Sequence, residues 1–351
     1  MQELLSQPRQ APQVPGDDVP SAYASVMRLV NGYQISQALH VAASLGIADL
    51  LASGARTSDE LAVATGTHAG ALYRVLRALA AASVFHEAPG RRFSLAPMGE
   101  CLRANAAEPA GPWAAFIGRP YIWTAWSHLM HSVRTGETAF SSVHGEGVWA
   151  YRAAHPEEGG IFDAAMTALS KDVAAGVIAA YGFASFSRAV DVGGGRGALV
   201  GGILAAHPAL HGAVFDQPHV VARAKSELEA LGVADRCEAV GGSFFDEVPA
   251  GDLILLKAVL HDRDDARART ILQTCRRAIA PGGTLLVIER VLPPPNEGLE
   301  AKSADLNMLV GAGGRERTAE EFAALLSSAG FALARVLPTR TRMAIVEAIC
   351  A

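Results

Sequence analysis

The stretch Arg188–Gly197, RAVDVGGGRG, decides the fold. A short apolar run leads into a turn with Gly193, Gly195 and Gly197 at G-x-G-x-G spacing, and a helical pattern follows. Glycine lets the chain turn sharply and lets a ligand approach the backbone without a Cβ in the way. Such a strand-to-helix turn marks a nucleotide-type site at the carboxyl edge of a doubly wound sheet. The next apolar run, AVFD, ends in Asp216, and an acid there can accept hydrogen bonds from two ribose hydroxyls. Loop and acid together point to an adenosine-containing cofactor. NAD is the obvious rival, but its G-x-G-x-x-G fingerprint puts a third glycine where this chain has Ala198. Alanine is sometimes accepted there, so the spacing disfavours NAD without excluding it. A diphosphate is also a poor match to a loop that begins with Asp191. A cationic sulfonium tolerates that acid better, and a plain strand-end hydrogen-bond acceptor is the other reading of Asp191.

Downstream, short apolar runs alternate with helical stretches: CEAVGGSFF, DLILLKAVLHD and TLLVIERVLP, then a helix over Ala319–Ala329 and a last strand in MAIVEAIC. That alternation predicts parallel strands joined by helices, an α/β Rossmann-like domain over residues 181–351. Upstream, residues 111–180 read as a helical linker rich in aromatics, among them Trp113, Phe116, Tyr121, Trp149 and Phe162. Before it, apolar residues recur at helical spacing from Tyr23 to about Leu51. Thr57 with Glu60 fits a capping box. A second helix runs from about His68 to Ala82 with Leu72, Val75, Leu76 and Leu79 on one face, and two short strands flank Pro89-Gly90. Helix, turn, helix and strand pair predict a winged-helix domain over residues 20–110. Residues 1–19, rich in Pro, Gln and Asp, read as a flexible tail.

Bulk composition narrows the function. The chain has 351 residues, enough for two domains, and a net charge of −5 with no basic run, so neither nucleic acid nor an anionic membrane is the expected partner. A winged helix is also a DNA-binding module, which makes a transcription regulator a rival function. Residues 1–110, however, carry eight arginines, no lysine and nine acids, and the would-be recognition helix is mostly Ala and Leu. The four cysteines, Cys101, Cys237, Cys275 and Cys350, form no C-x-x-C pair, which suits a reducing cytoplasm. No signal peptide or membrane-spanning run is read. His128 and His131 have i, i+3 spacing but no third ligand nearby in sequence, so no metal site is expected.

Five motifs in order, DVGGGRG, FDQPHVV, GGSFF, LLKAVLHD and GGRERT, resemble the plant-type small-molecule O-methyltransferases and their bacterial relatives in aromatic polyketide and phenazine pathways. The resemblance covers roughly residues 20–351. It implies an N-terminal winged-helix dimerisation domain, hence a homodimer, a C-terminal domain that binds S-adenosylmethionine, and no metal. By the resemblance, Gly193 and Gly195 belong to the cofactor loop, Asp216 holds the ribose, and Lys257 lies near the cofactor. Ser243 and Phe244 fall where an acid and an apolar residue flank the adenine, so Ser243 is a departure. His261, followed by Asp262, matches the catalytic base. Glu289 and Glu316 match two acids that flank it. Met166, Asn307 and Met308 are candidate acceptor contacts.

The implied chemistry is in-line displacement at a sulfonium methyl, for which the protein must supply alignment and a deprotonated nucleophile. A phenol, with pKa about 10, needs a base at neutral pH, and a histidine held in one tautomer by an acid suits that task. Either Glu289 or Glu316 could serve as that acid; both could equally be ion-pair partners of Arg290, Arg315 or Arg317. The expectation is methyl transfer to a hydroxyl of a small aromatic molecule. The alternatives within the family are a protein that binds the same cofactor but decarboxylates or hydroxylates an aromatic polyketide, and methylation at nitrogen or carbon.

Overall fold

A computed structural model describes residues 21–351. The N-terminal tail reading of residues 1–19 lies outside the described residues.

The continuous helical reading over Tyr23–Leu51 resolves into three helices, Ala22–Val30, Gly32–Ser44 and Ile47–Leu51. Asn31 interrupts the first pair, and Gly46 at φ +63° turns the chain into the third. The capping box forms: Thr57 Oγ1 accepts the Glu60 N–H, and Glu60 Oε2 accepts the Thr57 N–H. The helix Ala69–Ala81 buries Leu72, Leu76 and Leu79 against Ile47, Leu51, Leu61, Phe85 and Phe93, while Val75 is only half-buried. Strands β1 (Arg56–Thr57), β2 (Phe85–Ala88) and β3 (Arg92–Leu95) form an antiparallel sheet in the order β1-β3-β2, the wing of the winged helix.

Six helices between Gly111 and Ala180 follow, ending in the long helix Pro156–Ala180. Their aromatic side chains build a core of their own around Phe116, Tyr121, Phe140 and Val148, which also takes in Val310 from the far end of the chain.

The C-terminal domain is a seven-stranded sheet of β4 (Arg188–Val192), β5 (His211–Asp216), β6 (Cys237–Gly241), β7 (Gly251–Lys257), β8 (Ile279–Glu289), β9 (Phe331–Pro338) and β10 (Ala344–Cys350). Its order is β6-β5-β4-β7-β8-β10-β9, parallel from β6 to β8, with β10 antiparallel to both neighbours. Period-two alternation splits β7 between two cores: Leu253 and Leu255 face one, Ile254 and Leu256 the other. Helices cover both faces, so the central strands are apolar throughout. The sequence reading omitted β9. Its run FALARVLP mixes Ala and Arg into the apolar positions because it is a half-exposed edge strand, closed by a proline that an edge tolerates. An antiparallel strand between β8 and β9 departs from the parallel 3-2-1-4-5-6 order of dinucleotide-binding sheets.

Candidate active site

The order of the sheet reverses at β4, with β5 on one side and β7 on the other, which opens a crevice at their carboxyl ends. The glycine loop lies at this point. Gly193, Gly195 and Gly197 all have positive φ, at +73°, +60° and +82°. A Cβ on Gly193 would stand 2.6 Å from Val259 Cγ2, whereas one on Gly195 would meet no atom within 4 Å. Gly193 is therefore glycine for packing, and Gly195 leaves open space over the loop.

Buried Asp191 does not face that space. Its Oδ2 accepts the Val200 N–H at 3.3 Å, in the first turn of the helix Ala198–Ala206, and burial pushes its carboxyl up to about 6. It holds the loop to the helix, the plainer of its two readings. Asp216, at the end of β5, accepts the Gly195 N–H at 2.9 Å through Oδ2 and the Gln217 N–H at 2.7 Å through Oδ1. Each oxygen keeps a lone pair for one further donor, which suits two vicinal hydroxyls. Ser243 is exposed beyond β6; its Oγ accepts the Phe245 N–H at 3.3 Å, and Phe244 beside it is half-buried. Lys257, the last residue of β7, donates to Ser170 Oγ on the long helix at 3.0 Å. Desolvation lowers its pKa, and Asp191, Asp262 and Glu289 act against that shift. Open loop, two-sided acid and adjoining half-buried aromatic fit an adenosine group.

After Lys257 the chain turns through Ala258 at φ +55°, an uncommon conformation for a residue with a Cβ. The turn brings three successive N–H groups, of Val259, Leu260 and His261, onto Glu289 Oε1 at 3.0, 2.7 and 3.1 Å. Arg317, 1% exposed, takes the carbonyls of the same turn: Nη1 donates to Leu260 O at 3.1 Å and Nη2 to Arg263 O at 3.0 Å, with Asp265 Oδ1 completing the pair. A carboxyl on one side and a guanidinium on the other thus fix the backbone that carries His261. Gly314 packs against the same turn, so closely that a Cβ there would fall 1.9 Å from His261 O.

His261 is 8% exposed. Its Nδ1 meets Glu316 Oε1 at 3.1 Å, and its Nε2 lies 3.6 Å from Asp262 Oδ1. Burial disfavours the charged ring, but Asp262, Glu316 and Glu289 outweigh it and raise His261 to about 9. Glu316 also pairs with Arg290 Nη1 at 3.5 Å. Of the two acids expected to flank the imidazole, only Glu316 touches it; Glu289 contacts the backbone instead, because β8 ends beneath the turn and not beside the ring.

Asn307 ends the helix Leu299–Asn307, and Met308 opens a π-helical turn, Met308–Ala312. Such turns are rare and gather at functional sites. This one packs against the Leu260–Asp262 turn and four helices of the aromatic segment. Met166 packs on the same aromatic core. The turn that Met308 opens thus lies against the turn that carries His261, while Met166 joins the aromatic core that also takes in Val310. Sequence reasoning passed over Arg317, Gly314 and Ser170 as site residues. GGRERT carried the first two, but only the fold shows that they close on the histidine turn.

His131 Nε2 lies 3.7 Å from Glu137 Oε2, and no cluster of three metal-ligating side chains occurs among the described residues. Nor is any helix among them long and apolar enough to cross a membrane.

A glycine loop and a ribose-type acid at the switch point, with an acid-held histidine on the next strand end, define a Rossmann-like enzyme that works on an adenosine-containing cofactor. The chain belongs to the O-methyltransferase family: the O-methyltransferase domain model matches residues 126–332, and the O-methyltransferase dimerisation domain model matches residues 27–105. It is 44% identical to a phenazine O-methyltransferase of Lysobacter antibioticus over 92% of this chain and 95% of the relative. It is 36% identical to an 8-amino-8-demethylriboflavin N,N-dimethyltransferase of Streptomyces davaonensis over 90% of this chain and 91% of the relative. Among solved structures, an O-methyltransferase of neocarzinostatin biosynthesis, in complex with S-adenosylmethionine and 2-hydroxy-5-methyl naphthoic acid, superposes with TM-score 0.80 at 34% identity, covering 93% of this chain and 98% of that one. The protein is a methyltransferase of this S-adenosylmethionine-dependent family.

Proposed function

We propose that this enzyme methylates a phenolic hydroxyl of a small aromatic secondary metabolite, with His261 as general base. The observation that carries the reading is the His261–Glu316 contact, set on a backbone held from both sides at the edge where the cofactor loop lies. When bound, S-adenosylmethionine supplies an electrophilic methyl group on a sulfonium. Gly193, Gly195, Asp216, Ser243, Phe244 and Lys257 hold that cofactor, and Asp216 takes its ribose hydroxyls. Met166, Asn307 and Met308 line the acceptor side, where aromatic and thioether groups suit a flat apolar ring.

Glu316 fixes the proton on Nδ1, so Nε2 faces the acceptor hydroxyl. His261 takes the phenol proton on Nε2 as the oxygen gains its methyl group, and Glu316 stabilises the imidazolium that results. Glu289 and Arg317 act as positioning residues through the backbone.

The dimerisation domain and the exposed apolar residues Tyr23, Val26, Leu29 and Val30 of the first helix support a homodimer. Four free cysteines suit a cytoplasmic setting. The N,N-dimethyltransferase relative favours an amine acceptor as the second reading. Calorimetric titration with S-adenosylmethionine, followed by a phenol and arylamine panel scored for S-adenosylhomocysteine release, tests the proposal. Turnover confined to arylamines, or cofactor binding with no methylated product, would overturn it.

A further inference from the structure

Arg152, on the helix Val148–Ala154, is a cation in an apolar setting. Its guanidinium carbon lies 3.7 Å from the centre of the Phe162 ring, 5.2 Å from that of Trp149 and 5.4 Å from that of Phe116. The one protein acceptor it meets among the described residues is Tyr121 Oη, 3.4 Å from Nε. Among the described residues no carboxylate comes within ion-pair distance of it. Burial lowers its pKa, and Tyr121, Asp262 and Asp163 act against that shift. Both of those acids are already committed. Asp163 lies 3.6 Å from Arg196 and 3.5 Å from Arg223, and Asp262 lies beside His261 Nε2.

Aromatic faces offset only part of what it costs to take a guanidinium out of water. Among the described residues the terminal N–H groups of its planar fork meet no acceptor, and that geometry matches a carboxylate held by two parallel hydrogen bonds. Phe116, Phe162 and Met166 belong to the same apolar core, a setting that suits an aromatic ring. Resting on the reading above, we propose that Arg152 recognises a carboxylate on the acceptor's aromatic ring, so that the substrate class is a hydroxylated aromatic acid. Its cation would orient the ring and present the hydroxyl to His261.

The test uses the full chain with a hydroxynaphthoic acid and its primary amide as a matched pair. In the native enzyme kcat/KM should favour the acid by about 10- to 100-fold, the size of one charge-assisted pair. R152M keeps the apolar stem and should bring the ratio close to one; R152K keeps the charge and should leave it intermediate. A purely structural Arg152 would lower both acceptors together and leave the ratio unchanged, which would overturn the inference, as would a native enzyme that treats the pair alike. Calorimetric affinities for both molecules, taken with S-adenosylhomocysteine present, separate the two readings. An Arg152-dependent preference in binding without methylated product would uphold this inference and sink the proposed reaction. Methylation without preference would do the reverse, and binding of neither molecule would overturn the Arg152 site.

Discussion

Glu289 holds His261 by its main chain and not by its ring: Oε1 accepts the His261 N–H at 3.1 Å together with those of Val259 and Leu260, while the ring turns to Glu316. The two acids that look alike in the sequence therefore do different work, and substitution separates them.

E289Q keeps a carbonyl oxygen where Oε1 now accepts three bonds, and its other oxygen has no partner to lose among the described residues. It should retain the fold and most of the activity. E289A strands three buried N–H groups and should destabilise the protein by about 3 kcal/mol or more. Urea denaturation of the pair checks this; equal stability would show that water takes the place of the carboxyl.

E316Q leaves the turn intact but removes the negative partner of Nδ1. Its kcat should fall by roughly 10²- to 10⁴-fold, with S-adenosylmethionine affinity preserved. A loss in cofactor affinity of similar size would place Glu316 in the cofactor site instead.

His261 is raised from 6.5 to about 9 on folding, so the folded state binds this proton more tightly than the unfolded chain. The stability it contributes is fully present below pH 6.5 and disappears as pH rises through about 9. The native protein should therefore lose stability relative to H261Q over that window. Parallel stability curves for the two from pH 6 to pH 10 would refute the raised pKa. E316Q should move the imidazole NMR titration of the cofactor-free protein downwards.

A Cβ at Gly314 would fall 1.9 Å from His261 O and 2.5 Å from Arg263 N, and both are backbone atoms that cannot swing aside. G314A should displace the histidine turn and cut kcat by at least about 10²-fold, since misplacement by about an ångström costs that much. Cofactor affinity, read by calorimetry, should fall less than kcat, because Gly195 and Asp216 are held by their own hydrogen bond and not by that turn. Unimpaired turnover would mean that the turn is more mobile than its three-sided clamp implies.

Ser243 Oγ is occupied by the Phe245 N–H. S243D can keep that bond with one oxygen and offer the other to an adenine amino group, so S-adenosylmethionine should bind about 5- to 10-fold more tightly. Unchanged affinity would remove residue 243 from the cofactor site.

How much of this was legible follows from where each signal resides. The sheet was readable because strands buried on both faces must be continuously apolar, as in LILL at β7, and because a glycine turn at β4 must carry positive φ. The capping box at Thr57 was readable because both its hydrogen bonds lie within four residues. The edge strand β9 was not, since exposure dilutes its alternation.

By itself the sequence determined the two-domain order, the glycine turn after β4, Asp216 at the end of β5, and His261 just past the end of β7, all of which are local patterns. Only the tertiary structure decided which acid meets the imidazole, that Arg317 and Gly314 close on the same turn, and that Arg152 stands among aromatic rings without an acid partner among the described residues. The reason is distance along the chain. Fifty-five residues separate His261 from Glu316 and 28 separate it from Glu289, so which carboxyl reaches ring and which reaches backbone depends on how β8 and the Gly313–Thr318 segment pack around one turn.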